Sequence, residues 1–337
     1  IFQCLSGIFQ INLSSFEECL SSIAKATPGQ WNHLISAHRS ALDQLVDEKG
    51  RSLLMQAISK GYDTLSHQLI EYKIGLGQKD TKGNTPLHIA AKSGQSKLVG
   101  RLWKHFEIDC LNSHNQTPLY KAIKAGQLDV VAALVENGAN LKAHLPYKTL
   151  QVTPLAYAVI RGELECVQIL TQKANFTEHH CTLGSLLHLA VHFQQNEVLD
   201  YLLQKCEQQC KPLLESRDAA GNTPLAHAVI VENLSALSLL QLRGANLETQ
   251  NNKGHTPLHL AALAGSQSMI ESLAFLQCRI DPTDHDHKRP IDLVKAEAKE
   301  ITALLSNLMK QKTKIETRPP HYGYAPPQNL VFKRSEE

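Results

Sequence analysis

The tetrapeptide Thr-Pro-Leu-His occurs at Thr85-Pro86-Leu87-His88 and again at Thr256-Pro257-Leu258-His259, with degraded copies between and around them. The copies start at Ser52, Thr85, Thr117, Thr153, Ser185, Thr223, Thr256 and Arg289, so the successive steps are 33, 32, 36, 32, 38, 33 and 33 residues. A period near 33 is the mark of stacked supersecondary units, which bury a continuous core only by packing on their neighbours. A chain of 337 residues would ordinarily suggest two domains, but a stack grows in one dimension and need not divide.

Each position within a copy has a physical task. In Asp80-Thr81-Lys82-Gly83-Asn84-Thr85-Pro86-Leu87-His88-Ile89-Ala90-Ala91-Lys92-Ser93-Gly94, the Asp-x-x-Gly stretch predicts a tight turn with Gly83 at positive φ. Thr85 is suited to cap a helix, and Pro86 to its first position, where a missing N–H costs nothing. Leu87, Ala90 and Ala91 form a small apolar face that lets helices approach closely, and Gly94 ends the helix. Asp129-Val130-Val131-Ala132-Ala133-Leu134-Val135 predicts a second helix, closed by Gly138-Ala139. The unit is turn, short helix, turn, longer helix.

This pattern strongly resembles the ankyrin repeat family over roughly residues 47 to 306, most clearly in Gly83–Ala91, Gly221–Leu225 and Gly254–Ala262. The resemblance implies an all-α solenoid of about eight helix-turn-helix repeats with short β-hairpin or turn fingers. Residues 47–309 are assigned to the stack and 310–337 to a proline-containing tail. Residues 1–46 read as two helices, one after Ser14-Ser15-Phe16-Glu17 and one from Pro28, forming either a cap or a divergent first repeat.

Departures from the period are expected to change local structure. The extra residues at Ala143-His144-Leu145-Pro146-Tyr147-Lys148 predict a longer hairpin finger, and those at Cys206-Glu207-Gln208-Gln209-Cys210-Lys211-Pro212 a longer loop after the second helix. Ser185-Leu186-Leu187-His188 lacks both Thr and Pro, so a weaker helix start is expected there. After Lys288-Arg289-Pro290-Ile291-Asp292-Leu293, the charges at Lys295, Glu297, Lys299 and Glu300 suit an exposed capping helix.

Composition narrows the function classes. A formal net charge of +2 and an aromatic share of 5% argue against nucleic-acid binding. No apolar run approaches the ~18 residues of a spanning helix. Eight scattered cysteines read as reduced, packed thiols, which favours a cytoplasmic or nuclear location, or a host cytosol for a secreted effector. A first residue of Ile is expected of a piece of a longer chain. Cys206 and Cys210, with His179, His180 and Cys181, lack the second close pair of a structural zinc site. His285-Asp286-His287 reads as a polar turn. No nucleophile elbow, phosphate loop, dinucleotide fingerprint or metalloprotease helix occurs, so neither catalysis nor a cofactor is expected.

The resemblance implies a concave face made of finger tips and the exposed ends of first helices. Its early part is basic, with Lys82 and Lys92, and its later part carries Ile160, Arg161, Phe193, Ile230, Val231 and Leu263. An apolar patch with a charged margin predicts a protein partner, with Phe193 at its centre. Pro319-Pro320-His321-Tyr322 matches the Pro-Pro-x-Tyr peptides that WW domains recognise. The resulting expectation is a non-catalytic interaction module. The alternative is the substrate-recognition or targeting arm of a larger enzyme, or of a secreted bacterial effector, with its catalytic domain outside these residues.

Overall fold

A computed structural model describes residues 16–147, 150–174, 183–209, 213–296 and 298–316. The chain divides into two compact units at Asn246 and Leu247. The first unit begins with α1 (Phe16–Ala24) and α2 (Pro28–Asp43). Paired helices follow: α3 (Leu53–Lys60) with α4 (Asp63–Glu71), α5 (Pro86–Lys92) with α6 (Ser96–Leu102), and α7 (Pro118–Lys124) with α8 (Leu128–Glu136). A hairpin of β1 (Leu145–Tyr147) and β2 (Leu150–Val152) precedes α9 (Pro154–Arg161) and α10 (Leu164–Thr171). The unit ends with α11 (Leu186–His192), α12 (Asn196–Gln209), α13 (Pro224–Ile230) and α14 (Leu234–Leu242). The second unit holds α15 (Pro257–Ala264), α16 (Gln267–Phe275), a 3₁₀ turn at Pro290–Leu293 and α17 (Lys299–Glu316).

The expected division of labour within a repeat is present. Leu87, Leu119, Leu155, Leu187, Leu225 and Leu258 share one repeat position, and each is at most 1% exposed. Several fingers are organised by one Asp or Asn whose carboxyl or amide oxygen gathers the turn's amides. Asp80 Oδ1 accepts from Lys82 N at 2.9 Å and Asn84 N at 2.8 Å, and Asn112, Asp218, Asn251 and Asp284 repeat the arrangement. Gly83, at φ +70°, lets the next finger approach: Ser113 N donates to Lys82 O at 3.0 Å.

The motif histidines join a repeat to the next one. His88 Nδ1 accepts from Thr85 N at 3.2 Å and lies 2.9 Å from Thr85 Oγ1, while Nε2 faces Gln116 O at 2.9 Å in the following finger. A carbonyl only accepts, so Nε2 carries the proton and Nδ1 is the acceptor. The imidazole thus fills the Glu/Gln position of a capping box while tying two repeats together. His188 does the same with Ser185 and Asn222 O, and His259 with Thr256 and Lys288 O.

Three expectations need correction. Ser185, without Thr or Pro, is not a weak start: its hydroxyl and backbone complete the same capping box with His188, because the cap requires an oxygen and not a particular side chain. The first part of the insertion, Cys206–Gln209, continues helix α12 and is not loop, since it contains no helix breaker, while Cys210, Lys211 and Pro212 lie outside the described residues. Helix α17 runs to Glu316, past the expected tail boundary at 310, with residues beyond 316 outside those described. In the first residues, Pro28 does open α2, capped by Thr27 with Gln30. Ser14 and Ser15 lie outside the described residues. Trp31, Leu34 and Leu42 are buried, and Asp43 Oδ1 accepts from Gly75 N at 2.7 Å.

Candidate partner-binding surface

The inner helices α3, α5, α7, α9, α11 and α13 present their seventh residues in one register: Ser59, Lys92, Lys124, Ile160, His192 and Ile230. Most of these side chains are exposed, because the preceding helical turn carries the buried leucine and alanines. Ile230 is 43% exposed, with Val231 half-buried beside it, and Arg161 is exposed and paired to Glu163 at 3.4 Å. In the second unit, Leu263 is the matching seventh residue of α15 and is 37% exposed.

Ile160 departs from the register. It is 4% exposed, although the sequence places it on the accessible stripe. The longer finger accounts for this. Leu145 pairs with Val152 and Tyr147 with Leu150, which brings the Tyr147 ring to 5.7 Å from Tyr157 and 6.2 Å from Phe193. Tyr157 lies one helical turn before Ile160, so the finger packs on the same helix, α9, that carries the buried Ile160. Phe193 is correspondingly half-buried, held edge-on by Tyr147 and by His192, whose ring centre is 5.0 Å away.

These contacts continue on both sides. Tyr157 stacks on Tyr120 at 4.4 Å, and burial, then hydrogen bonding with Tyr120, holds its hydroxyl above the ordinary tyrosine range. His192 Nδ1 lies 3.2 Å from His227 Nε2. His227 is pushed down to about 4, first by burial and then by His188 and His192. The first unit therefore carries an aromatic ridge from Tyr120 to His227, roofed in its middle by the finger.

Ahead of this ridge, the fingers and inner helices of three successive repeats enclose a cleft of about 530 Å³. Its walls include Lys49, Arg51, Lys82, Lys92, Lys121 and Lys124, and Asp80 is the acidic residue among them. Lys82 and Lys92 were expected on this side. Lys49 and Lys121 were not, although Lys49 in Asp47-Glu48-Lys49-Gly50 occupies the same finger position as Lys82 in Asp80-Thr81-Lys82-Gly83.

Little here has the form of a catalytic or metal centre. Among the described residues, no group of three or more His, Cys, Asp or Glu is placed to hold a metal ion. His179, His180, Cys181 and Cys210 lie outside the described residues, as does the side chain of Cys206. His285, Asp286 and His287 form an exposed finger tip. Cys166 and Cys278 are buried, and burial pushes the Cys166 thiol up to about 11, away from a reactive thiolate. No helix among the described residues is long and apolar enough to cross a membrane.

The family model for ankyrin repeats (three copies) matches residues 54–144, 142–212 and 187–286. The chain belongs to the ankyrin repeat family. Among its relatives, the B-cell lymphoma 3 protein homolog of Mus musculus is 29% identical over 205 residues, 58% of this chain and 44% of that protein. Synphilin-1 of Mus musculus is 29% identical over 189 residues, 55% of this chain and 16% of that protein. The chain thus spans less than half the length of these curated relatives. The crystal structure of the ankyrin repeat domain of Bcl-3, described as a unique member of the IkappaB protein family, superposes with a TM-score of 0.58 at 27% identity. That match covers 67% of this chain and 99% of the Bcl-3 chain. The human ASB11 ankyrin repeat domain gives a TM-score of 0.55 at 27% identity, over 68% of this chain and 99% of the other. Ankyrin repeats are characteristically protein-interaction modules, and the accessible groups found here suit recognition.

Proposed function

We propose that this ankyrin chain is a non-catalytic recognition module that grips a protein partner with its finger tips and the exposed ends of its inner helices. The observation that carries the reading is Ile230, a large apolar side chain left 43% exposed beside the half-buried Val231 at the end of an inner helix whose other apolar residues are buried. Phe193, Arg161, Lys82 and Lys92 join it as contacts in the first unit; Leu263 is proposed as an apolar contact of the second unit taken by itself. Ile160 is removed from the set by its burial. A cytoplasmic or nuclear setting fits the buried thiol of Cys166. A WW-domain partner for Pro319, Pro320 and Tyr322 would act through residues outside those described.

Ile230→Asp provides the sharper test, because Phe193 also packs against Tyr147 and its loss would disturb the finger. Full chain immobilised on beads is compared with Ile230→Asp and with Leu242→Asp, which alters the 74%-exposed Leu242 on the outer helix α14. Proteins captured by the wild-type chain are expected to be lost with Ile230→Asp and retained with Leu242→Asp, all three chains melting alike. Removing a central apolar anchor should cost about 2 kcal/mol or more of affinity. Equal capture by all three chains would move the recognition surface elsewhere.

A further inference from the structure

The cationic cleft of the first unit has a composition that the general reading leaves unexplained. Lys49 and Lys82 reach it from adjacent finger tips, Lys92 from the end of α5, and Lys121 and Lys124 from one face of α7, three residues apart. Among the described residues, none of these five lysines forms an ion pair. The acidic wall residue does not neutralise them. Asp80 is committed to its own turn, its Oδ1 accepting from the amides of Lys82 and Asn84 and its Oδ2 from Asn84 Nδ2 at 2.8 Å. Lys121 is half-buried, and its ammonium is held below the usual lysine range by burial first, then by Lys124, Lys92 and Lys82. Like charges are thus gathered close enough to disfavour one another, which costs the free protein stability.

We propose that this cleft binds an Asp/Glu-rich segment of the partner protein, the lysines taking its carboxylates. This deepens the recognition reading above and rests on it. Charge complementarity selects the occupant: several lysines from adjacent repeats face one cleft, and a run of carboxylates on a partner chain matches them, with phosphate ligands tested as the competing outcome. Lysines act as compact point charges, whereas planar, bidentate capture of an anion is the work of a free guanidinium. The one arginine in the cleft, Arg51, is already engaged: its Nε donates to Asp47 Oδ2 at 2.8 Å and its Nη2 lies 2.7 Å from the same oxygen. A nucleic-acid strand is disfavoured because the apolar lining is Ile89 and Ala125, and the aromatic ring in the wall, His88, is 1% exposed and offers a base no open face on which to stack. An extended chain advances ~3.3 Å per residue with side chains alternating, so a run of acidic residues can present carboxylates to several repeats at once.

The test uses the full chain and a fluorescein-labelled Glu/Ser peptide of about twelve residues, ~40 Å when extended, read by anisotropy against the same peptide with Gln for Glu. The Glu peptide is expected to bind at low salt and to weaken steeply as ionic strength rises and the ~10 Å screening length at 0.1 M shortens. The Gln peptide is expected to be silent. Lys92→Glu with Lys124→Glu, both exposed sites, should reduce affinity more than about ten-fold. Lys97→Glu with Lys104→Glu, the same charge change on α6 and the turn after it, should leave it within about two-fold. Far-ultraviolet dichroism and melting must match across variants, and Lys92→Gln with Lys124→Gln substitutes if the reversed pair misfolds. No binding of the Glu peptide at low salt, or equal loss in both reversed pairs, would overturn the proposal. So would tighter competitive binding of inositol hexakisphosphate or of a single-stranded oligonucleotide. Ile230→Asp separates the two readings: it should keep the Glu peptide while losing the captured partner, and the reverse outcome would reject the acidic segment but leave protein recognition standing.

Discussion

Acid should unfold this chain well before its carboxylates titrate, because its repeats are joined through neutral histidines. His88 is 1% exposed and pushed down from 6.5 to about 4, with burial the first cause, opposed in part by its hydrogen bond to the Gln116 carbonyl. Protonating Nδ1 would turn it from acceptor to donor against the Thr85 amide, so the charged form also loses the cap. His227 is lowered to about 4 as well. The unfolded chain binds protons that the native chain refuses, so these contributions are complete above pH 6.5 and are lost as pH falls through about 4. At ~1.4 kcal/mol per pH unit for each proton, each histidine contributes about 3 kcal/mol across that window. Two of them give a slope near 2.7 kcal/mol per pH unit around pH 5.5. Asp47 falls outside the window: burial raises it, but hydrogen bonds from Arg51 outweigh this and keep it below 3.8. Urea unfolding at several pH values, followed by Trp31 and Trp103 fluorescence and by dichroism, measures the slope wherever the two signals coincide. His88→Leu should reduce it by about one proton. A flat profile between pH 6.5 and 4.5, or an unchanged slope in His88→Leu, would refute the neutral-imidazole joint.

Two further substitutions probe the repeat. Leu225→Ala, at a position with no exposure, should cost about 2–5 kcal/mol through lost transfer energy and the cavity left behind, read from the urea midpoint. Gly83→Ala should destabilise more than Gly94→Ala: both have positive φ, but a Cβ at Gly83 would sit 2.7 Å from Ser113 N, whereas at Gly94 it meets the movable amide of Gln127. Equal losses at the two glycines would mean that backbone conformation, and not finger-to-finger approach, sets the requirement.

The repeat was legible in sequence because its signals are local. Asp80, Gly83, Thr85 and Pro86 each specify a turn or a cap through their own backbone neighbours, and recurrence at about 33 residues removes the ambiguity of any single copy. Where local signals compete, the reading failed. Ser185 lacks the Thr and Pro of the other copies, yet a hydroxyl at that position suffices for the cap. A strict period ends the second helix before Cys206, whereas the propensity of Cys206–Gln209 continues it.

The surface was less legible, for a reason that begins with the finger. Repeat position alone gives Ile160 the same standing as Lys92 and Ile230, yet Tyr147 arrives from another part of the chain and packs on the helix that carries the buried Ile160. Convergence of lysines was also partly hidden, since Lys49 and Lys82 are 33 residues apart and become neighbours only through the stacking of fingers. Equivalent positions in the repeat nevertheless carry the clue, and they explain how such a surface can vary. The buried leucine recurs in six repeats and the histidine joint in three of them, while the seventh residue of the inner helix, Ile160 apart, is exposed. Changing Lys92, Lys124 or Ile230 therefore alters the chemistry offered to a partner at small cost in folding, and a run of adjacent repeats can shift from cationic to apolar within a single fold.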